Sequence, residues 1–264
     1  MHKYRLDLQY VGSRFQGWQS QPSLLAVQDH LNKILITILG ENVRTVGASR
    51  TDSGVHACHQ VVSFEKKTPI TNLPKTLKGL DALLSPDFGV LNLQKVDLDF
   101  HPIFSARAKI YCYRLWLSHF KNPFWEPFVW TLPQALEYDL LLIDAAAFIG
   151  EHNFSSFCNI GSSAPSKVRT IFDIQLVRRQ HLVEIWLLGN GFLKQMVRNI
   201  VGTMVDRASG RLSKSIQDIL LAQDRTVAGL TAPAKGLTLS QIYYDKIPEL
   251  SDYLQQRSLK DDFV

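Results

Sequence analysis

The chain has 264 residues, 45% hydrophobic and 20% charged, which fits one large globular domain or two moderate ones with ample core material. The longest apolar stretches, Ala135–Gly150 and Gly191–Gly202, both carry charges, so neither reads as a membrane span. Three scattered cysteines, Cys58, Cys112 and Cys158, exclude a disulfide framework and a paired-cysteine zinc site.

Met1 leads straight into an alternating pattern without the apolar core of a signal peptide, which points to the cytoplasm. In Lys3–Tyr10, residues Tyr4, Leu6, Leu8 and Tyr10 share one face, which predicts a strand. Residues 11–18 have turn composition. Val27, Leu31, Ile34, Leu35 and Ile38 recur at helical spacing, which predicts a helix over Ala26–Leu39 stopped by Gly40. A short strand over Val43–Ala48, a loop over 49–56 and a strand over Cys58–Glu65 follow. Leu73–Leu84 reads as a helix with Pro74 in its first turn, and Val90–Val96 and Ala108–Ser118 read as strands. The order strand, helix, strand, strand, helix, strand is that of a ferredoxin-like α+β unit.

The second half repeats the theme. Tyr138–Ile149 reads as a helix, and Val168–Arg178 with His181–Gly189 as a hairpin. Phe192–Arg207 reads as a helix with Leu193, Met196, Val197, Ile200 and Met204 on one side; Ile216–Ala222 is a short helix and Leu237–Tyr243 a last strand. The expected architecture is α+β: a half over 1–120, a connector over 121–136, a half over 137–247 and a tail over 248–264. The halves would share a mixed, largely antiparallel sheet with a central cleft.

The net charge of +5 is by itself weak evidence for a polyanionic partner, whereas its distribution is more telling. Residues 101–125 hold four Lys or Arg, seven aromatic rings and no acid. Cations among rings suit looped or single-stranded nucleic acid, with phosphates neutralised and bases stacked. The alternative is that Tyr111, Tyr113 and Trp116 pack within a sheet.

The loop after the 43–48 segment concentrates reactive groups: Ser49-Arg50-Thr51-Asp52-Ser53-Gly54-Val55-His56. Loops on a rigid sheet are common sites of chemistry. In an extended conformation Arg50 and Asp52 point to one side, and a cation there keeps a carboxylate ionised in a dry pocket. Such a carboxylate is a competent nucleophile. The plain alternative is a turn, for which Asp-Ser-Gly is well suited. His56, Cys58 and His59 suggest a metal, but strand geometry sends His59 to the opposite face from the other two, and no metal site is expected.

The segment Arg50–Ala57 resembles the signature Arg-Thr-Asp-Ala-Gly-Val-His-Ala of the TruA-type tRNA pseudouridine synthases, with Ser53 in place of Ala. Tyr10-Val11-Gly12-Ser13-Arg14-Phe15-Gln16-Gly17-Trp18-Gln19 is similar to that family's N-terminal Tyr-Asp-Gly-x-x-Phe-x-Gly-Trp-Gln. Lys109-Ile110-Tyr111-Cys112-Tyr113 resembles its Tyr-x-Tyr strand, and Asn153–Phe157 followed by Val168–Ile171 resembles another pair of segments. Phe192–Gly202 resembles its Met-Val-Arg-Asn-Ile-Val-Gly helix, and Ala232–Leu237 its Ala-Pro-x-x-Gly-Leu closing segment.

This resemblance implies the pseudouridine synthase fold and isomerisation of uridine in the anticodon arm of tRNA, at positions 38 to 40. It implies Asp52 as the catalytic residue and Tyr111 at the uracil. It also implies no cofactor, no metal and a homodimer that binds tRNA. Arg50 would orient Asp52 and stabilise charge on the detached base. Arg198, placed on the polar side of its helix, would contact a phosphate or Asp52; the alternative is a solvated helix-face cation. Two competing readings are a pseudouridine synthase acting on other uridines and a non-catalytic RNA-binding module on the same fold. One departure stands out: the family's Phe-His-Ala-Arg is Phe100-His101-Pro102-Ile103 here, so a cation facing the RNA is missing. Arg107 and Lys109 are the nearest substitutes.

Overall fold

The computed structural model describes residues 1–21, 25–133, 136–161 and 164–258. Positions 134–135 of the expected connector and 259–264 of the expected tail lie outside the described residues. In chain order the elements are β1 (His2–Tyr10), α1 (Val27–Leu39), β2 (Val46–Gly47), β3 (His56–Lys66), α2 (Leu73–Leu83), β4 (Phe88–Val96), β5 (Ala108–Leu117), β6 (Trp130–Leu132), α3 (Tyr138–Ala147), β7 (Gly150–Asn153), β8 (Val168–Arg179), β9 (Leu182–Gly189), α4 (Met196–Ala208), α5 (Ile216–Ala222), β10 (Leu237–Tyr243) and α6 (Leu250–Ser258). Among the described residues no helix is long and apolar enough to cross a membrane.

The chain forms two compact units: Met1–Ala106 with Ala234–Ile242, and Arg107–Pro233 with Tyr243 onward. Each combines helices with a sheet, as expected for the α+β class. In the first unit β4, β1 and β3 lie side by side and antiparallel. The far edge of β3 is shared: β2 pairs antiparallel at Val62 and Ser63, and β10 pairs parallel at His56 and Ala57. The order β4-β1-β3-β2 is the ferredoxin-like arrangement. The strand β10, from the end of the sequence, thus completes the first unit. The expected strand over Val43–Ala48 is shorter, because only Val46 and Gly47 reach the ladder of β3.

Local signals explain these elements. In α1, Val27, Leu31 and Leu35 are buried at four-residue intervals, and Gly40 ends the helix at φ 62°. Asn72 caps α2, its Oδ1 accepting from the Lys75 backbone N–H at 2.9 Å.

In the second unit β5, β9, β8 and β7 follow one another antiparallel, and β6 runs parallel to β5. One face of β5 and β9 carries Ala108, Ile110, Cys112, Trp186 and Leu188, and it packs on Leu250, Tyr253 and Leu254 of α6. The stretch read as a tail therefore holds a helix that closes a core. The opposite face of β5 carries Lys109, Tyr111 and Tyr113. Helix α4 begins at Met196 rather than Phe192, because Gln195 adopts φ 60° and breaks the helical run.

Candidate active site

The 49–56 loop of the first unit is held by the turn that follows β1. The Trp18 backbone N–H donates to Thr51 O at 3.0 Å, and Gly54 N–H donates to Phe15 O at 3.3 Å. Gly12 N–H donates to Nδ1 of His56 at 3.1 Å. The contact at Gly12 is close enough that a methyl group there would lie 2.0 Å from the Val55 carbonyl oxygen. Gly17 supplies a positive φ of 92° beside Thr51, and Gly54 turns the loop at φ 80°. Two of the segments singled out in the sequence are thus one piece of structure, in which the first grips the second. Ser53 adds to the grip. Its single hydroxyl proton is shared between Phe15 O at 3.2 Å and Gln16 Oε1 at 3.1 Å, a contact that an Ala could not make.

Asp52 sits in this loop half-buried, between the buried Thr51 and the exposed Ser53, and its carbonyl accepts from Val55 N–H at 3.1 Å. Arg50 is exposed, and among the described residues no ion pair joins it to Asp52. The chain turns just after Asp52, at Ser53 and Gly54. The histidines beside the loop have structural partners. His56 Nδ1 accepts from Gly12, His59 Nδ1 accepts from Ile242 N–H at 3.2 Å, and His59 Nε2 lies 3.4 Å from Asp7.

The second unit holds the other two candidates. Tyr111 is 6% exposed and meets Phe192 edge-on, with ring centroids 5.1 Å apart. Its neighbour on the same face, Tyr113, donates its hydroxyl to Pro233 O at 2.8 Å. Burial pushes that phenol well above its usual range, against the opposing influence of the Arg198 cation. Arg198 is half-buried, and its Nε donates to Ala232 O at 2.7 Å while Ala232 N–H returns a bond to Arg198 O at 3.1 Å. Around it α4 is largely buried, Asn199, Thr203 and Asp206 included. Lys109, offered as a substitute for the missing RNA-facing Arg, is buried too; burial, with a smaller push from Arg169, pulls it down to about 8. Of the two substitutes only Arg107 is exposed.

What covers the polar side of α4 is the 229–232 segment. Gly229 N–H donates to Thr203 Oγ1 at 3.0 Å and Leu230 N–H to Asp206 Oδ2 at 2.9 Å. Gly202 makes room, for a methyl there would lie 1.8 Å from Leu230 O. Arg225 fastens the same segment with a fork of bonds to Gly229 O, Thr231 Oγ1, Asn199 Oδ1 and Asn159 Oδ1. The Phe192–Gly202 and Ala232–Leu237 segments are therefore also linked, and Arg198 sits at their junction.

Sequence reading passed over the residues that support the loop, Tyr10 and Gln60 above all. A signal existed: Gln60 interrupts the apolar face of β3 that continues through Val62 and Phe64, and it is fully buried.

The chain is α+β with a ferredoxin-like half, and a braced sheet loop keeps Asp52 half-exposed. The tRNA pseudouridine synthase family matches residues 145–245. The tRNA pseudouridine synthase A of Maridesulfovibrio salexigens is 40% identical over 92% of this chain and 91% of its own length. That of Acetivibrio thermocellus is 36% identical over 92% of this chain and 100% of its own length. The chain belongs to the TruA-type tRNA pseudouridine synthases, a family of isomerases.

Proposed function

We propose that this enzyme isomerises uridine to pseudouridine in the anticodon arm of tRNA, at positions 38 to 40, with Asp52 as the essential carboxylate. The observation that carries this is the placement of Asp52. Its loop is fastened by backbone bonds on both sides, and Asp52 itself remains half-exposed.

The reaction breaks the bond from ribose C1′ to uracil N1 and forms one from C1′ to C5. The proton on C5 is lost and N1 gains one. The base first leaves its stack, which a looped arm makes less costly. Three routes give Asp52 a role: attack on C6 of the base, attack on C1′ of the ribose, or removal of a ribose proton while the base detaches. Each needs an ionised carboxylate within about 3–3.5 Å of the reacting atom, so each needs a rigid loop. Tyr111, its ring fixed by Phe192, meets the uracil in this reading. Arg198 and the exposed Arg50 stabilise charge on the base or engage phosphate. The enzyme works in the cytoplasm as a homodimer across which one tRNA lies, with no cofactor and no metal.

The test uses unmodified tRNA transcripts and pseudouridine mapping at single-nucleotide resolution. Wild-type protein forms product at 38 to 40, whereas Asp52→Asn forms none and binds tRNA with nearly unchanged affinity. Absence of product on every tRNA with wild-type protein would sink the proposal. Product elsewhere would overturn only the position.

A further inference from the structure

We infer that Tyr10 and Gln60 are positioning residues for catalysis, forming a buried bracket that sets the place of the Asp52 carboxylate. Given the reading of Asp52 as the essential carboxylate, on which this rests, the bracket determines turnover more than tRNA binding.

Gln60 has no exposed surface, in a strand whose neighbours on the same face are Val62 and Phe64. A primary amide there is costly unless both of its ends are paired. Its Nε2 donates to Ser49 O at 2.7 Å, and its Oε1 accepts from Ser49 N–H at 3.2 Å. The side chain thus takes the place of a strand partner for the residue that opens the loop. Tyr10 holds the other flank, with its hydroxyl 2.8 Å from Thr51 Oγ1. The two are linked as well, since Gln60 Nε2 reaches Tyr10 Oη at 3.5 Å, the outer limit of a hydrogen bond.

The strand register shows how Tyr10 reaches Thr51. Leu8 lies opposite Gln60, but Tyr10 lies opposite Ala57, one residue further along than regular pairing gives. Such a shift re-aims a side chain. Its ring is secured between Trp18 and Phe88, at 6.4 and 5.9 Å between centroids. Ser49 and Thr51 are thus both tied to the sheet, and the residue after them is Asp52. A merely structural role would be met by any pair of groups satisfying one another. Here both partners are spent on the two residues that lead into Asp52.

The conservative probe is Tyr10→Phe, which removes one hydroxyl and leaves the ring. We expect kcat on tRNA transcripts to fall about tenfold, since displacement of a reacting group by a fraction of an ångström is enough for such a loss. KM should stay within twofold. Thr51→Val should give the same loss, and Tyr10→Phe combined with Thr51→Val no further one, because both remove the same bond. Thr51→Ser, which keeps a hydroxyl, should restore kcat to near the wild-type value. Gln60→Leu should lower kcat further. Wild-type kcat in Tyr10→Phe and Thr51→Val would overturn the inference, as would losses confined to KM. Asp52→Asn separates the two readings. If it abolishes product while the bracket variants turn over normally, only the bracket fails; if it keeps activity, the reading of Asp52 fails.

Discussion

Gly12→Ala is the sharpest probe of how the loop is held. The new methyl would lie 2.0 Å from Val55 O and 2.5 Å from Val55 C, and real side chains essentially never approach within 3.0 Å. Both obstacles are backbone, so the turn and the loop must part by about 1 Å. That movement stretches the bonds from Gly12 N–H to His56 and from Gly54 N–H to Phe15 O. Overpacking costs about 1–3 kcal/mol and each weakened bond about 1 kcal/mol, so a loss of about 4 kcal/mol is expected. In a chain of this size that lowers the melting temperature by about 8–16 °C. Catalysis suffers more, because a misplacement of about 1 Å costs on the order of 100-fold. Thermal melts paired with single-turnover pseudouridine formation read both effects. Gly40→Ala is the control: the position needs φ 62° but nothing lies within 4 Å, so stability falls by about 1 kcal/mol and turnover is unchanged. If Gly12→Ala melted and turned over like the wild type, the claim that the first turn fixes the loop would be refuted.

Gly202→Ala tests the second unit in the same way. With Leu230 O 1.8 Å from the new methyl, the 229–232 segment should lift from α4, costing about 3–4 kcal/mol in a denaturant titration and releasing Arg198 from Ala232 O. Lys109→Met tests the buried cation. The native ammonium is held down to about 8 while the unfolded chain keeps about 10.4, so between those values the unfolded state binds more protons and stability rises with pH. The substitution should therefore stabilise most at pH 7, and its advantage should shrink by about 3 kcal/mol at pH 10.5, as measured by urea unfolding at the two pH values. A constant difference would show that Lys109 is charged without penalty.

Much of this molecule is legible in its sequence, for physical reasons that can be named. The alternation of Tyr4, Leu6, Leu8 and Tyr10 gives β1 because one face of that strand is buried. The spacing of Val27, Leu31 and Leu35 gives α1 for the same reason. What pattern cannot show is long-range partnership. Gln60 stands out on the apolar face of β3, but its partner Ser49 is visible only in the fold. Leu250, Tyr253 and Leu254 read as tail because the face they cover is built from β5 and β9, far away in sequence. The start of α4 depends on one residue, Gln195, in a conformation that its side chain gives no reason to expect.

Each candidate group has bonds within its own unit that help to hold it. Asp52 depends on Tyr10, Gly12, Trp18 and Gln60, all in the first unit. Tyr111 depends on Phe192, and Arg198 on Ala232 and, through the 229–232 segment, on Arg225, all in the second. Each group is thus ordered before RNA arrives, and binding energy need not be spent on arranging it. This arrangement separates two kinds of defect. Substitutions in the supporting residues should act on the geometry of a prepared group and so on kcat. Substitution of an exposed cation such as Arg107 should act on phosphate attraction, and so on KM and its dependence on salt.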